Sequence, residues 1–296
     1  METDYLMEKT LAGLDRDLHD RYRNCVVVSN RMLSRYEGVF PDFTDHTTLH
    51  ALEIVDYCNR IIGDHIADLT ADDLYVLLMG AAFHDVGMGV SGKDFAEFLP
   101  IVRPGVSMPE TQAEIQTLVR KNHQEFSACY VRKYWELFDL PNENYAQAVI
   151  QVCRGHRKTD LFDPAGYPQP FPVAEGRSVC LTYLAALVRL SDELDIAADR
   201  NFSFLYDPEH MAHAIDRFEF AKHKAIQRVE VLPDHIRVSA ATDDPAIYDG
   251  VRETVDKLAD TLDYCRRAAA ERTPFVIPQA RVELELRALW EGGAPA

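Results

Sequence analysis

An almost wholly apolar stretch of the chain covers residues 74–88 and reads LYVLLMGAAFHDVGM. It is long enough for three helical turns, and Gly87 can end the helix. A helix that is apolar on all sides is buried, so we expect it at the centre of the fold. His84 and Asp85 stand at its C-terminal end, where the helix dipole favours a cation. Because neighbouring helical positions point roughly 100° apart, His84 can bind one ion while Asp85 reaches toward another.

The composition is that of a large, acidic chain. It has 296 residues, 47% of them hydrophobic, with 15 prolines and 14 glycines, which predicts one large domain or one domain with a small appendage. Lys and Arg number 31 and Asp and Glu number 48, which gives a net charge of −17. This charge argues against a general nucleic-acid or anionic-membrane surface, although a local basic pocket stays compatible with it.

The cysteines and the first residues favour a reducing compartment. Six cysteines are widely spread without any CxxC spacing, so we interpret them as reduced core residues. The start of the chain is acidic, and no stretch approaches the ~20 apolar residues of a membrane span. We therefore expect a cytoplasmic protein with no membrane partner.

The pattern of apolar residues predicts a helical body over residues 1–225. Besides the apolar helix, helices are expected at 5–37, 46–63, 110–138, 142–156 and 178–197. The glycines and prolines of residues 88–110 predict a loop there, long enough to be a lid. The fold class is therefore mainly α.

Residues 226–296 have a different pattern and are predicted to form a small antiparallel α+β appendage. Residues 227–239 alternate as a hairpin with a turn at its centre. A helix follows at 246–271, and residues 281–286 alternate as a last strand. We find no catalytic motif in this part, which favours an interaction role for it.

Histidines and aspartates recur on successive helices of the body. In chain order they are His50, His84-Asp85, His123, His156 and Asp192. This order resembles the HD superfamily of metal-dependent phosphohydrolases over roughly residues 44–200. Residues 82–87, AFHDVG, resemble its signature doublet, while HALEI at 50–54 and LVRLSD at 187–192 resemble the segments of its first and last ligands. The resemblance implies an HD-type helical bundle for residues 1–225.

The resemblance also implies a binuclear metal site. In it, one metal would be held by His50, His84, Asp85 and Asp192, and a second by Asp85, His123 and His156. Carboxylates and neutral imidazoles suit Mn²⁺, Fe, Ni²⁺ or Zn²⁺ and, less well, Mg²⁺. Two ions that share a carboxylate can activate water and neutralise phosphoryl oxygens, so the implied reaction is hydrolysis of a phosphoester or phosphoanhydride.

Two further groups of residues are candidates for catalysis and substrate binding. His46 precedes His50 with the spacing found in cyclic-nucleotide phosphodiesterases of the superfamily, which implies that it protonates the leaving oxygen; the alternative is that it caps or packs its helix. Four cations lie beside the predicted ligands in sequence and are candidates for binding substrate phosphates, with ordinary solvated helix ends as the alternative. They are Lys121, Arg154, Arg157 and Lys158.

These features predict a metal-dependent hydrolase of a small phosphorylated molecule, with a nucleotide as the expected substrate. The nucleotide follows from the superfamily alone, because no residue of this sequence reads a base. The alternative is a nucleotide-sensing regulatory module that keeps the fold and the metals. The complete ligand set favours the enzyme and the appendage favours the sensor, while a homo-oligomer is compatible with both. A metal-free bundle with buried, hydrogen-bonded histidines is a third possibility.

Overall fold

The computed structural model describes residues 6–35, 39–40, 48–157, 159–197 and 214–290. The helices are α1 (Leu6–Leu14), α2 (Arg16–Leu33), α3 (Thr48–Ile62), α4 (Ala71–Phe83), α5 (Gly92–Val102), α6 (Gln112–Tyr134), α7 (Glu143–Gly155), α8 (Leu181–Leu194), α9 (Ala214–Ala225) and α10 (Pro245–Arg272). The strands are β1 (Phe171–Ala174), β2 (Arg177–Val179), β3 (Ile226–Val231), β4 (Ile236–Thr242) and β5 (Val282–Ala288). The fold is mainly α with a small C-terminal α+β part, as predicted.

Helix α4 is the predicted apolar helix, and it lies at the centre of the body. Thr70 begins it with a capping box, in which Thr70 Oγ1 accepts from Asp73 N at 3.1 Å and Asp73 Oδ2 accepts from Thr70 N at 3.2 Å. Every residue of α4 after Ala71 is buried, because α1, α2, α3, α7 and α8 all pack against it. The helix ends at Phe83, so the His-Asp doublet follows directly from the core.

The prediction of a loop over residues 88–110 is wrong, and the prediction of a lid, which depended on that loop, is wrong as well. A 3₁₀ turn covers Val86–Gly89, and α5 occupies much of the remaining segment. Phe95, Phe98 and Leu99 form the buried face of α5 with helical spacing. The glycines and prolines misled the prediction because they are tolerated here: Gly92 begins the helix with a φ of +54°, and α5 ends two residues after Pro100.

The C-terminal sheet is mixed rather than antiparallel throughout. Strands β3 and β4 form the predicted antiparallel hairpin, but β5 pairs with β4 in parallel, from Ile236 against Val282 to Thr242 against Ala288. A parallel pair needs a long crossover connection, and α10 provides it. The prediction of a purely antiparallel appendage is therefore wrong for the last strand.

The C-terminal part shares a core with the helical body. Helix α10 packs along α8, and α9 runs directly into β3 at Ile226. Buried residues on both sides, such as Leu190 and Leu258, belong to one continuous hydrophobic cluster. The boundary at residue 225 stays a prediction, but α10 is placed where it can support the helix that carries Asp192.

Two sequence expectations concern cysteines and membrane segments. All six cysteines are free, and all except the half-buried Cys180 are buried. Within the part of the chain that the structure describes, no single helix is long and apolar enough to cross a membrane. The segments Ala71–Gly89 and Gly92–Val102, which are bent by 104° relative to each other, reach the length and apolar composition of a membrane span only when taken together.

Candidate metal centre

Three of the predicted histidines stand where a helix ends or breaks. His84 caps the C-terminus of α4, and His156 caps that of α7. His123 follows Asn122, whose φ of −130° and ψ of 15° put a kink in α6. In each, Nδ1 lies against the backbone carbonyl three residues earlier. The acceptors are the carbonyls of Ala81 at 2.8 Å, Arg120 at 2.9 Å and Cys153 at 2.5 Å.

These carbonyl contacts determine which nitrogen faces the site. A carbonyl oxygen can only accept, so Nδ1 carries the proton and Nε2 keeps its lone pair. That is the form of imidazole that binds a metal through Nε2, with its orientation fixed from behind.

His50 reaches the same arrangement through a carboxylate. Its Nδ1 lies 2.5 Å from Oδ2 of Asp195, and both residues are buried. Asp195 is separated from His50 by 145 residues, and it was not among the residues predicted for the site. The sequence offered one signal for it. Asp195 follows Asp192 by three residues, so it places a second carboxylate near the end of the same helix.

Asp85 lies between two pairs of histidines. Its Oδ2 is 3.6 Å from Nε2 of His50 and of His84. Its Oδ1 is 3.2 Å from Nε2 of His123 and 3.8 Å from Nε2 of His156. The five side chains are buried and form two groups that could each hold a metal ion, with Asp85 in both. The structure thus brings together the predicted bridging carboxylate and the histidines of both predicted sets.

The nitrogen and oxygen atoms that face one another in the cluster are suited to binding cations. Nε2 of His50 lies 3.1 Å from Nε2 of His84, and Nε2 of His123 lies 2.9 Å from Nε2 of His156. With the protons on Nδ1, each pair sets two acceptors against each other, which is unfavourable without positive charge between them. Four imidazoles and a carboxylate are the nitrogen and oxygen ligands that divalent transition metals prefer.

The pKa values of the second histidine pair agree with neutral ligands. Burial lowers the pKa of His123, although Asp85 opposes the shift. Burial also places the pKa of His156 well below its usual value, with further lowering by His123 and His84. Both imidazoles are therefore in the uncharged form that a metal requires.

Asp192 lies beside the first set, as the resemblance implies. It sits in the last turn of α8, with Oδ1 3.4 Å from Nε2 of His50. The side chain is 17% exposed, because it also lines a cavity above the cluster.

A further contact fixes the doublet to α6. Gly87 N donates to Ser127 Oγ at 2.9 Å, and Ser127 Oγ donates to the carbonyl of His84 at 2.8 Å. A Cβ added at Gly87 would lie 2.1 Å from the carbonyl oxygen of His123. The backbone of the turn therefore lies too close to that of α6 for any residue larger than glycine. From the sequence, Gly87 was predicted only to end the helix, and Ser127 was not predicted at all because it belongs to no motif.

A cavity of about 420 Å³ adjoins His123 of the second histidine pair. The elements that carry the metal ligands, with the turns that follow them, contribute Met88, Arg120, His123, Arg157, Asp192, Glu193 and Ile196 to its lining. The rest of the lining comes from α9, β3 and α10. The residues there are Glu219, Lys222, His223, Ile226, Thr254 and Lys257. The C-terminal part therefore helps to form the site, which its lack of motifs did not indicate.

Of the four predicted phosphate-binding cations, Arg157 lines this cavity. Arg154 instead forms an ion pair with Glu125, Nη2 to Oε2 at 2.7 Å, and Lys121 is exposed outside the cavity wall. Both stand two positions before a ligand histidine, and such positions point to roughly opposite sides of a helix. Arg120, three positions before His123, shares its side. Lys158 and the predicted proton donor His46 lie outside the described residues.

The chain was also compared with known proteins. A model of the HD-CE family matches residues 40–272, well over half of the chain, and includes every ligand candidate named above. No curated protein and no solved structure matches the chain.

Proposed function

This chain belongs to the HD-CE family, and we propose that it hydrolyses a phosphoester or phosphoanhydride bond of a small molecule. The HD-type domain and the buried cluster of histidines and aspartates indicate a metal-dependent HD hydrolase in general. The phosphoryl substrate, and a nucleotide as its most fitting example, are our inference.

The observation that carries the proposal is the position of Asp85 between two facing histidine pairs, beside a cavity that two arginines line. Each oxygen of Asp85 faces one pair. Ions bound there would activate a water molecule and offset the charge of the phosphoryl oxygens. A cluster that served only to stabilise the fold would need neither two ligand sets nor an adjoining cavity.

The cations of the cavity support an anionic substrate. Arg120 and Arg157 line it close to the second histidine pair, and a guanidinium can bind phosphate oxygens through two parallel hydrogen bonds. The chain as a whole carries a net charge of −17, so these arginines provide local attraction that the rest of the surface opposes. The cavity volume of about 420 Å³ lies in the range of roughly 300–1,000 Å³ typical of small-molecule sites.

We retain His46 as the proton donor to the leaving oxygen, on the basis of its spacing from His50. Replacing His46 with Gln should slow turnover by about 10²- to 10⁴-fold, the usual contribution of a positioned general acid. Metal content should stay at the wild-type value, whereas loss of metal would place His46 among the ligands and contradict this role.

The activity is tested by assaying cyclic nucleotides, nucleoside triphosphates and dinucleoside polyphosphates with Mn²⁺ present. We expect the wild type to turn over at least one class and Asp85→Asn to lose that activity. Asp260→Asn is the matched control, because Asp260 is an exposed carboxylate on α10. Tight nucleotide binding without turnover in the wild type would contradict the enzyme and favour the sensing module.

A further inference from the structure

The lining of the cavity includes a lysine that is held in place on several sides. Lys222 belongs to α9, and only 14% of its side chain is exposed. Its Nζ lies 2.9 Å from Oε2 of Glu219 and donates to Oγ1 of Thr254 at 3.3 Å. The hydroxyl of Thr254 itself donates to the carbonyl of Gly250 at 2.9 Å, which leaves its oxygen to accept from Lys222. The ammonium group is therefore oriented before any ligand arrives.

Helix α10 leaves room for the stem of this lysine. A Cβ added at Gly250 would lie 2.7 Å from Cδ of Lys222 and 2.9 Å from Cζ of Phe218. Glycine in the middle of a long helix carries a stability cost relative to alanine. Gly250 thus allows Lys222 to lie across α10 and to present its charged end to the cavity.

The ion pair with Glu219 leaves Lys222 able to bind a further anion. Glu219 lies one turn earlier on the same helix, and its side chain is 38% exposed against 14% for Lys222, so solvent screens the carboxylate more than the ammonium group. An ammonium group has three N–H donors, of which Glu219 and Thr254 use two. The third can bind an anion in the cavity, which Lys222 lines.

The cavity consequently receives cations from two groups of elements. Arg120 and Arg157 come from the elements that carry the metal ligands, while Lys222 comes from α9. Lys257 of α10 also lines the cavity, but it is 63% exposed and pairs with Glu193 at 2.8 Å, so it belongs to the rim. One phosphoryl group bound at the metal ligands would have the two arginines beside it.

We propose that Lys222 binds a second phosphoryl group of the substrate, so that the preferred substrates carry at least two. This inference rests on the proposed phosphohydrolase activity for the identity of the first group. A second phosphoryl oxygen would accept from Nζ of Lys222 in a charge-assisted hydrogen bond. Specificity for diphosphorylated molecules thereby comes from α9, outside the elements that carry the metal ligands.

The test uses methylenediphosphonate and methylphosphonate, which cannot be hydrolysed and differ by one phosphoryl-like group. Their binding is measured by calorimetry on Mn²⁺-loaded protein freed of excess metal. Lys222→Met keeps the stem over Gly250 but removes the charge. We expect it to weaken diphosphonate binding at least about tenfold, as for one lost charge-assisted bond, and to leave methylphosphonate binding within about twofold.

Three further variants separate binding from misfolding. Lys222→Arg keeps the charge and should restore most of the diphosphonate affinity. Lys224→Met, at an exposed lysine of the same helix, should match the wild type. Gly250→Ala should weaken diphosphonate binding without lowering the melting temperature, because it displaces Lys222 but favours the helix.

Equal diphosphonate affinity in Lys222→Met and wild type would overturn the inference, as would a parallel loss of methylphosphonate binding. A wild type that hydrolyses phosphate esters but binds both phosphonates equally would overturn this inference alone. A wild type without hydrolytic activity that still shows the Lys222-dependent difference would contradict the proposed function and support the diphosphate site.

Discussion

At the residue scale, the orientation of the four histidines depends on what each Nδ1 contacts. Three contact carbonyls of their own helices, which cannot be removed by substitution. His50 alone depends on a side chain, the carboxylate of Asp195. Such partners behind a ligand fix the ring and its tautomer. Asp195 is therefore the positioning residue of the first metal set.

Replacing Asp195 with Ala should weaken metal binding about 10- to 100-fold, the usual effect of losing such a partner. The reason is that His50 loses the acceptor that holds its proton on Nδ1. Competition titration against a chromogenic chelator measures the change, with Asp260→Ala as the exposed control. An affinity equal to that of the wild type would show that Asp195 does not position His50.

The lowered pKa values of His123 and His156 predict how stability depends on pH. Below the ordinary value of 6.5, these histidines gain protons in the unfolded chain while the folded protein resists them. The unfolded state then binds more protons, so the free energy of unfolding falls as pH decreases below about 6.5. The slope should reach about 1.4 kcal/mol per pH unit for each histidine.

Urea denaturation of chelator-treated protein between pH 7.5 and 5 measures this slope. The double variant His123→Gln, His156→Gln should lose most of it, because glutamine does not titrate. His65→Gln, at an exposed histidine, should retain it. Identical slopes in the wild type and the double variant would contradict the account of buried neutral ligands.

At the element scale, the two ligand sets are joined by the contact between the end of α4 and α6. The turn at Val86–Gly89 packs directly on α6, where Ser127 accepts from Gly87 and donates to the carbonyl of His84. This contact holds the doublet against the helix that carries His123. The separation of the two sets thus depends on how closely these backbones approach.

Gly87→Ala should destabilise the protein by about 1–3 kcal/mol, because its Cβ would overlap backbone atoms of α6 that cannot move aside. Gly13→Ala is the control, since a Cβ there meets nothing within 4 Å and α1 should gain up to about 1 kcal/mol. Denaturant titration measures both. Equal stability of Gly87→Ala and the wild type would mean that the turn and α6 can separate at little cost.

At the scale of the whole molecule, local patterns predicted what depends on local physics. The apolar run and its capping residues predicted α4, and apolar periodicity predicted most of the other helices. The order of histidines and aspartates identified the side chains that the structure brings together around Asp85. The helices are encoded within one or two helical turns of each residue, whereas the ligand set was identified through the family resemblance.

Features that depend on distant contacts were missed. The contact between His50 and Asp195 spans 145 residues, and the cavity wall formed by Lys222 has no local motif. Lys121 was predicted from its closeness in sequence to His123, but Arg120 is the residue that lines the cavity. The rotation of the helix decides which of the two side chains faces the cavity.

The central claim is that two metal ions share Asp85, and metal content measured by mass spectrometry tests it most directly. After reconstitution with Mn²⁺ and removal of excess metal, we expect about two equivalents in the wild type and about one each in His84→Gln and His156→Gln. Asp85→Ala should retain the least metal, while Asp260→Ala should match the wild type. A wild type without metal, or an Asp85→Ala variant that binds as much as the wild type, would contradict the shared site.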